Sequence, residues 1–217
     1  MNRLRLCGVV ATSAERRIAQ EAMPSVPIVQ VGIGAPDISR STIPDCDFVL
    51  ITGFAGALDS TLKTGEVVVY KRSFDSNGES IDCEPIKGLP ECARVSGLTM
   101  SKVIVKSNDK TALRNQHHAD VVDMETLQIM RVCRNAGIPA SVLRVISDGA
   151  GDDLPDFNLA IQPDGTLDGT RLSRVLLARP LTTLKFVRSF KMSNSSLRTA
   201  LRRFCTEFNQ CDQQAEA

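Results

Sequence analysis

The 217-residue chain has no tryptophan, one tyrosine and two histidines, and aromatic residues make up only 4% of it. Proteins that hold single-stranded nucleic acid stack bases on such rings, and the chain shows no recognisable nucleic-acid-binding motif, so nucleic acid is not an expected partner. No apolar run approaches the roughly 20 residues needed to cross a bilayer. No Pro/Gly/Ser-rich linker or low-complexity tract interrupts the chain, which is long enough for one large core. The seven cysteines are odd in number and lack C-x-x-C spacing. That excludes an evident disulfide framework or zinc site and points to a reducing cytoplasm. His117 and His118 are adjacent without a metal-ligand pattern, and neither metal nor cofactor is expected. The basic residues near the N-terminus precede a short apolar stretch, but Glu15, Arg16 and Arg17 follow with no small-residue cleavage site. A first strand therefore fits better than a signal peptide.

What is present is ordinary in amount and uneven in placement. Apolar residues at 42% and charged residues at 24% suit a globular protein. Residues 171–208 hold nine basic side chains and one acid, Glu207, for a charge of +8, which leaves −7 on the rest of a chain whose net charge is +1. In the same stretch Leu181, Leu184, Val187 and Phe190, then Leu197, Ala200, Leu201, Phe204, Cys205 and Phe208, recur at helical spacing with arginines between them. Two uses fit such basic amphipathic helices: packing on the body, or peripheral contact of residues 171–208 with anionic membrane at the inner face.

Residues 4–11 read as a buried strand, and the Thr12-Ser13 pair can cap a helix running to about Met23. Segments 27–31 and 47–52 read as strands ending in small-residue turns, Gly32-Ile33-Gly34 and Gly53-Phe54-Ala55-Gly56. Residues 65–70 and 101–105 are further candidate strands, and 73–97 read as loops with short strands. Apolar positions 124, 127, 129, 130, 133 and 136 predict a buried helix ended by Gly137-Ile138-Pro139. Residues 140–146 form a nearly continuous apolar strand, the kind covered by helices on both faces. The order implies a single-domain α/β fold with a central, mostly parallel or mixed sheet, in which ligands sit at the carboxyl ends of strands.

Two acids stand out at such places. Asp148 follows the last strand in Arg-Val-Ile-Ser-Asp-Gly-Ala-Gly, and Glu125 opens a helix in Val-Val-Asp-Met-Glu-Thr. A strand-end and a helix-start carboxylate that converge suit acid-assisted cleavage of a bond that leaves a carbocation-like sugar. Their bland alternatives are a turn-capping Asp before Gly149 and a first-turn helix acid favoured by the dipole.

The segments Thr52-Gly53-Phe54-Ala55-Gly56-Ala57-Leu58, Leu62 to Val69, Val122-Asp123-Met124-Glu125 and Arg144-Val145-Ile146-Ser147-Asp148 resemble the nucleoside phosphorylase and nucleosidase superfamily. That family includes methylthioadenosine/S-adenosylhomocysteine nucleosidase, and the likeness spans about residues 4–155. Gln162-Pro163-Asp164-Gly165 and the basic tail look most like its hopanoid-associated phosphorylase branch, which is implied to remove adenine from adenosylhopane. The resemblance implies a three-layer fold with a mixed sheet between helices, a catalytic domain over 1–170, and a basic helical segment over 171–217 packed on it. It also implies a homo-oligomer acting on a purine nucleoside.

By the same resemblance, Asp148 protonates N7 of the departing purine and Glu125 accepts both sugar hydroxyls. Met124 packs on the sugar; Gly53, Phe54, Gly56 and Ser147 line the sugar and base; Ile104 and Val105, beside Val103, form the purine wall. Glu15 is similar to the glutamate that orients the attacking water, with Arg16 the alternative one residue on. The chain departs from the phosphorylases at Ile51-Thr52-Gly53, where they carry a phosphate-holding arginine. Gly8, Arg16 and Gly34 are the remaining candidates for an anion site if inorganic phosphate is co-substrate. A second departure is the short stretch between Gly34 and Asp47, where the family has a longer helix.

Overall fold

The computed structural model describes residues 4–86, 89 and 91–214, with side chains to residue 208. Eight strands form one mixed sheet. They are β1 (Leu6–Val10), β2 (Ile28–Gln30), β3 (Phe48–Ala57), β4 (Val67–Phe74), β5 (Ser80–Asp82), β6 (Ala93–Thr99), β7 (Val121–Asp123) and β8 (Ala140–Asp148). Strand β3 pairs with β8 along most of its length and with β7 at its end, β8 pairs with β4, β4 with β6, and β6 with β7. These five strands close on themselves. β1 and β2 extend the sheet from β3, and β5 pairs on β4.

Alternation along each strand decides which face meets which helix. Cys7, Val9, Val49, Ile51, Val142 and Ile146 face α3 (Thr126–Asn135), which contributes Leu127, Ile129, Met130 and Cys133 to that core layer. Leu6, Val10, Leu50, Leu143 and Val145 face the other way, onto α1 (Ser13–Ala22) and the second half of α5 (Pro180–Gln214). Leu197, Leu201 and Phe204 of α5 are buried there, each burial contributing roughly 1.5–3 kcal/mol. The three-layer α/β arrangement is the one the sequence implied.

Three local readings differ. Gly53 to Gly56 is continuous β3 strand, not a turn, because β8 supplies partners up to Ala55 and the register shifts only at Ala55/Gly56. The strand expected at 101–105 lies at 93–99 instead; residues 101–105 are irregular, with Asn158 satisfying both backbone polar groups of Val103. Helix α2 (Ser107–His117) was not anticipated, since its sequence SNDKTALRNQH shows almost no apolar periodicity. The stretch after Gly34 holds only a single 3-10 turn, Arg40–Thr42.

The basic tail divides at Pro180 into α4 (Gly169–Ala178) and the long α5. Only part of it is packed on the body. From Ser193 onward α5 is packed, with Ser193 Oγ donating to Ile146 O at 2.8 Å. Before that point several leucines face outward, Leu177, Leu181 and Leu184 being 79%, 83% and 69% exposed, while Phe186 and Phe190 are half-buried. Among the described residues no helix is long and apolar enough to cross a membrane. Residues 215–217 of the expected C-terminal segment lie outside the described residues.

Candidate active site

Helix α1 begins with Thr12 as N-cap, and Thr12 and Glu15 form a reciprocal capping box. That box turns Glu15 inward: it is 4% exposed, and its Oε2 accepts from Ala11 N, Thr12 N and Thr12 Oγ1. Its Oε1 reaches across the sheet to accept from Phe54 N at 3.0 Å. This approach requires Gly53, because a Cβ there would fall 2.2 Å from Glu15 Oε1 and 2.7 Å from Arg144 Nη1. Glu15 is therefore a fixed, buried acceptor, not a solvated helix residue. Arg16 is exposed and stands apart.

Glu125 is the N-cap residue of α3, but its side chain makes no capping bond. The carboxylate instead accepts from Gly34 N at 3.0 Å and lies 3.6 Å from Arg144 Nη2. Its pKa is pushed up to about 7: burial is the main cause, Asp123 and Glu15 add to it, and Arg144 and the Gly34 N–H pull it back. Met124 beside it is half-buried. A proton held more tightly in the folded than in the unfolded chain makes the fold lose stability as pH rises from about 4.5 to about 7 and stay lower above that. Glu125→Gln removes this term while keeping an oxygen for Gly34 N. We expect its melting temperature to exceed that of the parent at pH 8, by up to roughly 3 kcal/mol in stability, and the gap to close near pH 5. Thermal melts of both proteins across that range check it; a pH-independent difference would contradict it.

Arg144 is the residue that the sequence quoted but gave no role. It is 1% exposed, on the face of β8 that carries Val142 and Ile146 to the α3-side core. Its guanidinium donates to Thr126 Oγ1 at 2.8 Å and Thr52 O at 3.3 Å, and lies 3.7 Å from Asp123. Burial opposes its charge, yet Asp123, Glu125, Tyr70 and Glu15 hold its pKa above the ordinary arginine value. Asp123 below is saturated, accepting from Tyr70 OH, Thr99 Oγ1, Thr126 N and Thr126 Oγ1. Gly97 permits this, since the Tyr70 ring lies 2.0 Å from where its Cβ would be. A lone arginine inside the apolar run Ala-Ser-Val-Leu-Arg-Val-Ile was the available signal, because a charge is buried in a strand only when paired.

Asp148 ends β8 and is 5% exposed. It does not cap the following turn: Gly149 N donates to Asp152 Oδ2 at 2.9 Å instead. Its Oδ2 receives Lys110 Nζ at 2.5 Å, and its Oδ1 lies 2.5 Å from Ser147 Oγ. Gly56 passes beside it; a Cβ there would stand 3.0 Å from Asp148 Oδ2. Lys110 had no sequence signal, because the helix that carries it was not legible.

Other residues named from sequence lie apart from these acids or are engaged otherwise. Ile104 is buried among Leu58, Leu98, Ala119 and Val122, and the Val105 carbonyl accepts Leu154 N. The backbone N–H groups among the candidate anion donors are occupied. Gly8 N donates to Pro27 O, Gly32 N to Ala11 O, Ile33 N to Gly165 O and Gly34 N to Glu125.

A family model described as the phosphorylase superfamily matches residues 87–178. A 5′-methylthioadenosine/S-adenosylhomocysteine nucleosidase of Buchnera aphidicola subsp. Schizaphis graminum is 26% identical over 184 residues, covering 70% of this chain and 78% of that protein. Among solved structures, a nucleosidase of the same name from Colwellia psychrerythraea 34H, in complex with adenine, superposes with a TM-score of 0.63 at 18% identity, covering 94% of this chain and 95% of that one. The futalosine hydrolase of Helicobacter pylori strain 26695 gives 0.59 at 16% identity, covering 86% and 97%. These likenesses fix the fold.

Proposed function

We propose that this chain belongs to the phosphorylase superfamily and is an enzyme that cleaves the N-ribosidic bond of a purine nucleoside, with water as the nucleophile. The observation that carries this is the gathering of three buried carboxylates, Glu15 from α1, Glu125 from the β7–α3 junction and Asp148 from the end of β8, around strand β3. Each has a separate duty. Asp148 serves the leaving base; Glu125 accepts the sugar hydroxyls and, as an anion, favours the positive charge that grows on the ribosyl ring. Glu15 holds the water, its geometry set by the four hydrogen bonds it already accepts.

Water is favoured over phosphate because the N–H groups that would hold an anion are spent on carbonyls and on Glu125, and two acidic side chains face the same space. Adenine is the base we assign, as the names of the nucleosidase relatives suggest. For the 5′ substituent, the ring contacts Phe54–Phe190 at 5.2 Å, Phe190–Phe186 at 5.6 Å and Phe186–Phe157 at 4.8 Å support an apolar group. They run from the strand that Glu15 touches towards the exposed leucines of α4 and α5. A lipid nucleoside such as adenosylhopane, met at an anionic membrane surface by the basic tail, fits that path.

One assay tests the reading: adenine release from methylthioadenosine, adenosine, inosine as a control, and adenosylhopane in anionic vesicles, with and without phosphate. We expect release without phosphate, and release from vesicles that falls as salt rises. Strict phosphate dependence would overturn the hydrolytic version; release only from the water-soluble nucleosides would overturn the lipid one.

A further inference from the structure

Lys110 is fully buried, and its ammonium meets three acceptors: Asp148 Oδ2 at 2.5 Å, Gly149 O at 2.9 Å and Asp152 O at 3.0 Å. A lysine has three N–H bonds, so every donor is used and the head is fixed. Among the described residues it is the one charged partner of Asp148. Asp152 turns its own carboxylate to Gly149 N and to Lys185 of α5, and Asp153 is engaged by Lys106 and Ser107 N. A solvated lysine of α2 would cost nothing to keep; burying one is expensive unless it is paired and hydrogen-bonded, and this pairing falls on the acid assigned to the leaving group.

Lys110 and Asp148 form a buried ion pair at 2.5 Å, and Ser147 Oγ lies 2.5 Å from the other carboxylate oxygen. An anionic carboxylate has no proton of its own to give a departing purine. We propose that Lys110 is the proton reservoir of the site, a positioning residue that acts through Asp148 and rests on the nucleoside-cleaving reading above. As the C1′–N9 bond breaks, its electron pair goes to the purine and N7 becomes basic. A proton passes from Lys110 Nζ to Asp148, and Asp148 then gives that proton to N7, leaving a neutral lysine and an ionised Asp148. The water that adds to C1′ releases one proton, and solvent returns one to Lys110, so the count closes.

The test compares a purine nucleoside with 4-nitrophenyl riboside, whose leaving group departs without protonation. Lys110→Met is expected to lower kcat/KM on the purine nucleoside by about 10²–10³-fold, within the range for a general acid, and to leave the nitrophenyl riboside within about threefold. Lys110→Arg keeps the positive charge but binds its proton too tightly to release it, and should show the same split. Equal losses on both substrates, or wild-type purine cleavage by either variant, would overturn the proposal. Should neither variant fold, the parent enzyme decides: its rate on the purine nucleoside should be slower in D2O, as the one transferred proton requires, and its rate on the nitrophenyl riboside should not; equal rates in H2O and D2O on the purine nucleoside would overturn the relay. A parent enzyme that cleaves the nitrophenyl riboside but no purine nucleoside would instead remove the purine reading itself.

Discussion

Asp148→Asn should lower adenine release by about 10²–10⁴-fold, the range attributable to one positioned proton donor, while the nucleoside still binds. The substitution is close to isosteric, and the amide oxygen can still accept from Lys110, so the pocket beside Gly56 keeps its shape. What is lost is the ability to pass a proton onward. Steady-state kinetics together with ligand binding by the variant check this, with a melting curve to confirm folding. A non-catalytic nucleoside-binding relative would show no turnover to lose, and wild-type turnover in Asp148→Asn would mean that another group serves the base.

The second large effect falls on the fold. Arg144→Met removes the cation that Asp123 and Glu125 share and leaves both carboxylates buried at 1% and 8% side-chain exposure. Breaking a buried ion pair from one side costs about 3–5 kcal/mol, which in a chain of this size lowers the melting temperature by roughly 10 °C. The deficit should shrink as pH falls. Arg144 is the group that pulls the Glu125 pKa down, so without it Glu125 moves further up from about 7 and escapes its penalty by taking a proton. Melts at pH 5 and pH 8 distinguish this from loss of packing, which would be equal at both.

The parts of the site visible in the sequence were those whose side chains break a pattern. Asp148 stands at the end of a long apolar run and Glu125 at the start of a periodic one. Glu15 was marked by position, and Thr-x-x-Glu, the signature of the box that turns it inward, was in plain sight. Lys110 was hidden because α2 is held by tertiary contacts made by Leu113 and Lys110 itself, not by an apolar stripe. The Gly53 to Gly56 segment misled for a related reason. Glycine reads locally as a turn, but here Gly53, at φ 140°, and Gly56 lie in a strand where acid side chains must come close. Local chemistry cannot reveal that an atom from a distant element fills the missing Cβ's place.

Closing five strands into a circuit also decides how copies of this chain can meet. Strand-to-strand association needs free backbone donors and acceptors in a row, and among the described residues the two strands that end the sheet, β2 and β5, are three residues each. Rungs that short make a poor template for adding another chain. Any assembly would therefore have to form through side chains on the helical faces, where the exposed leucines of α4 and α5 lie, and it would be governed by shape and charge instead of backbone pairing.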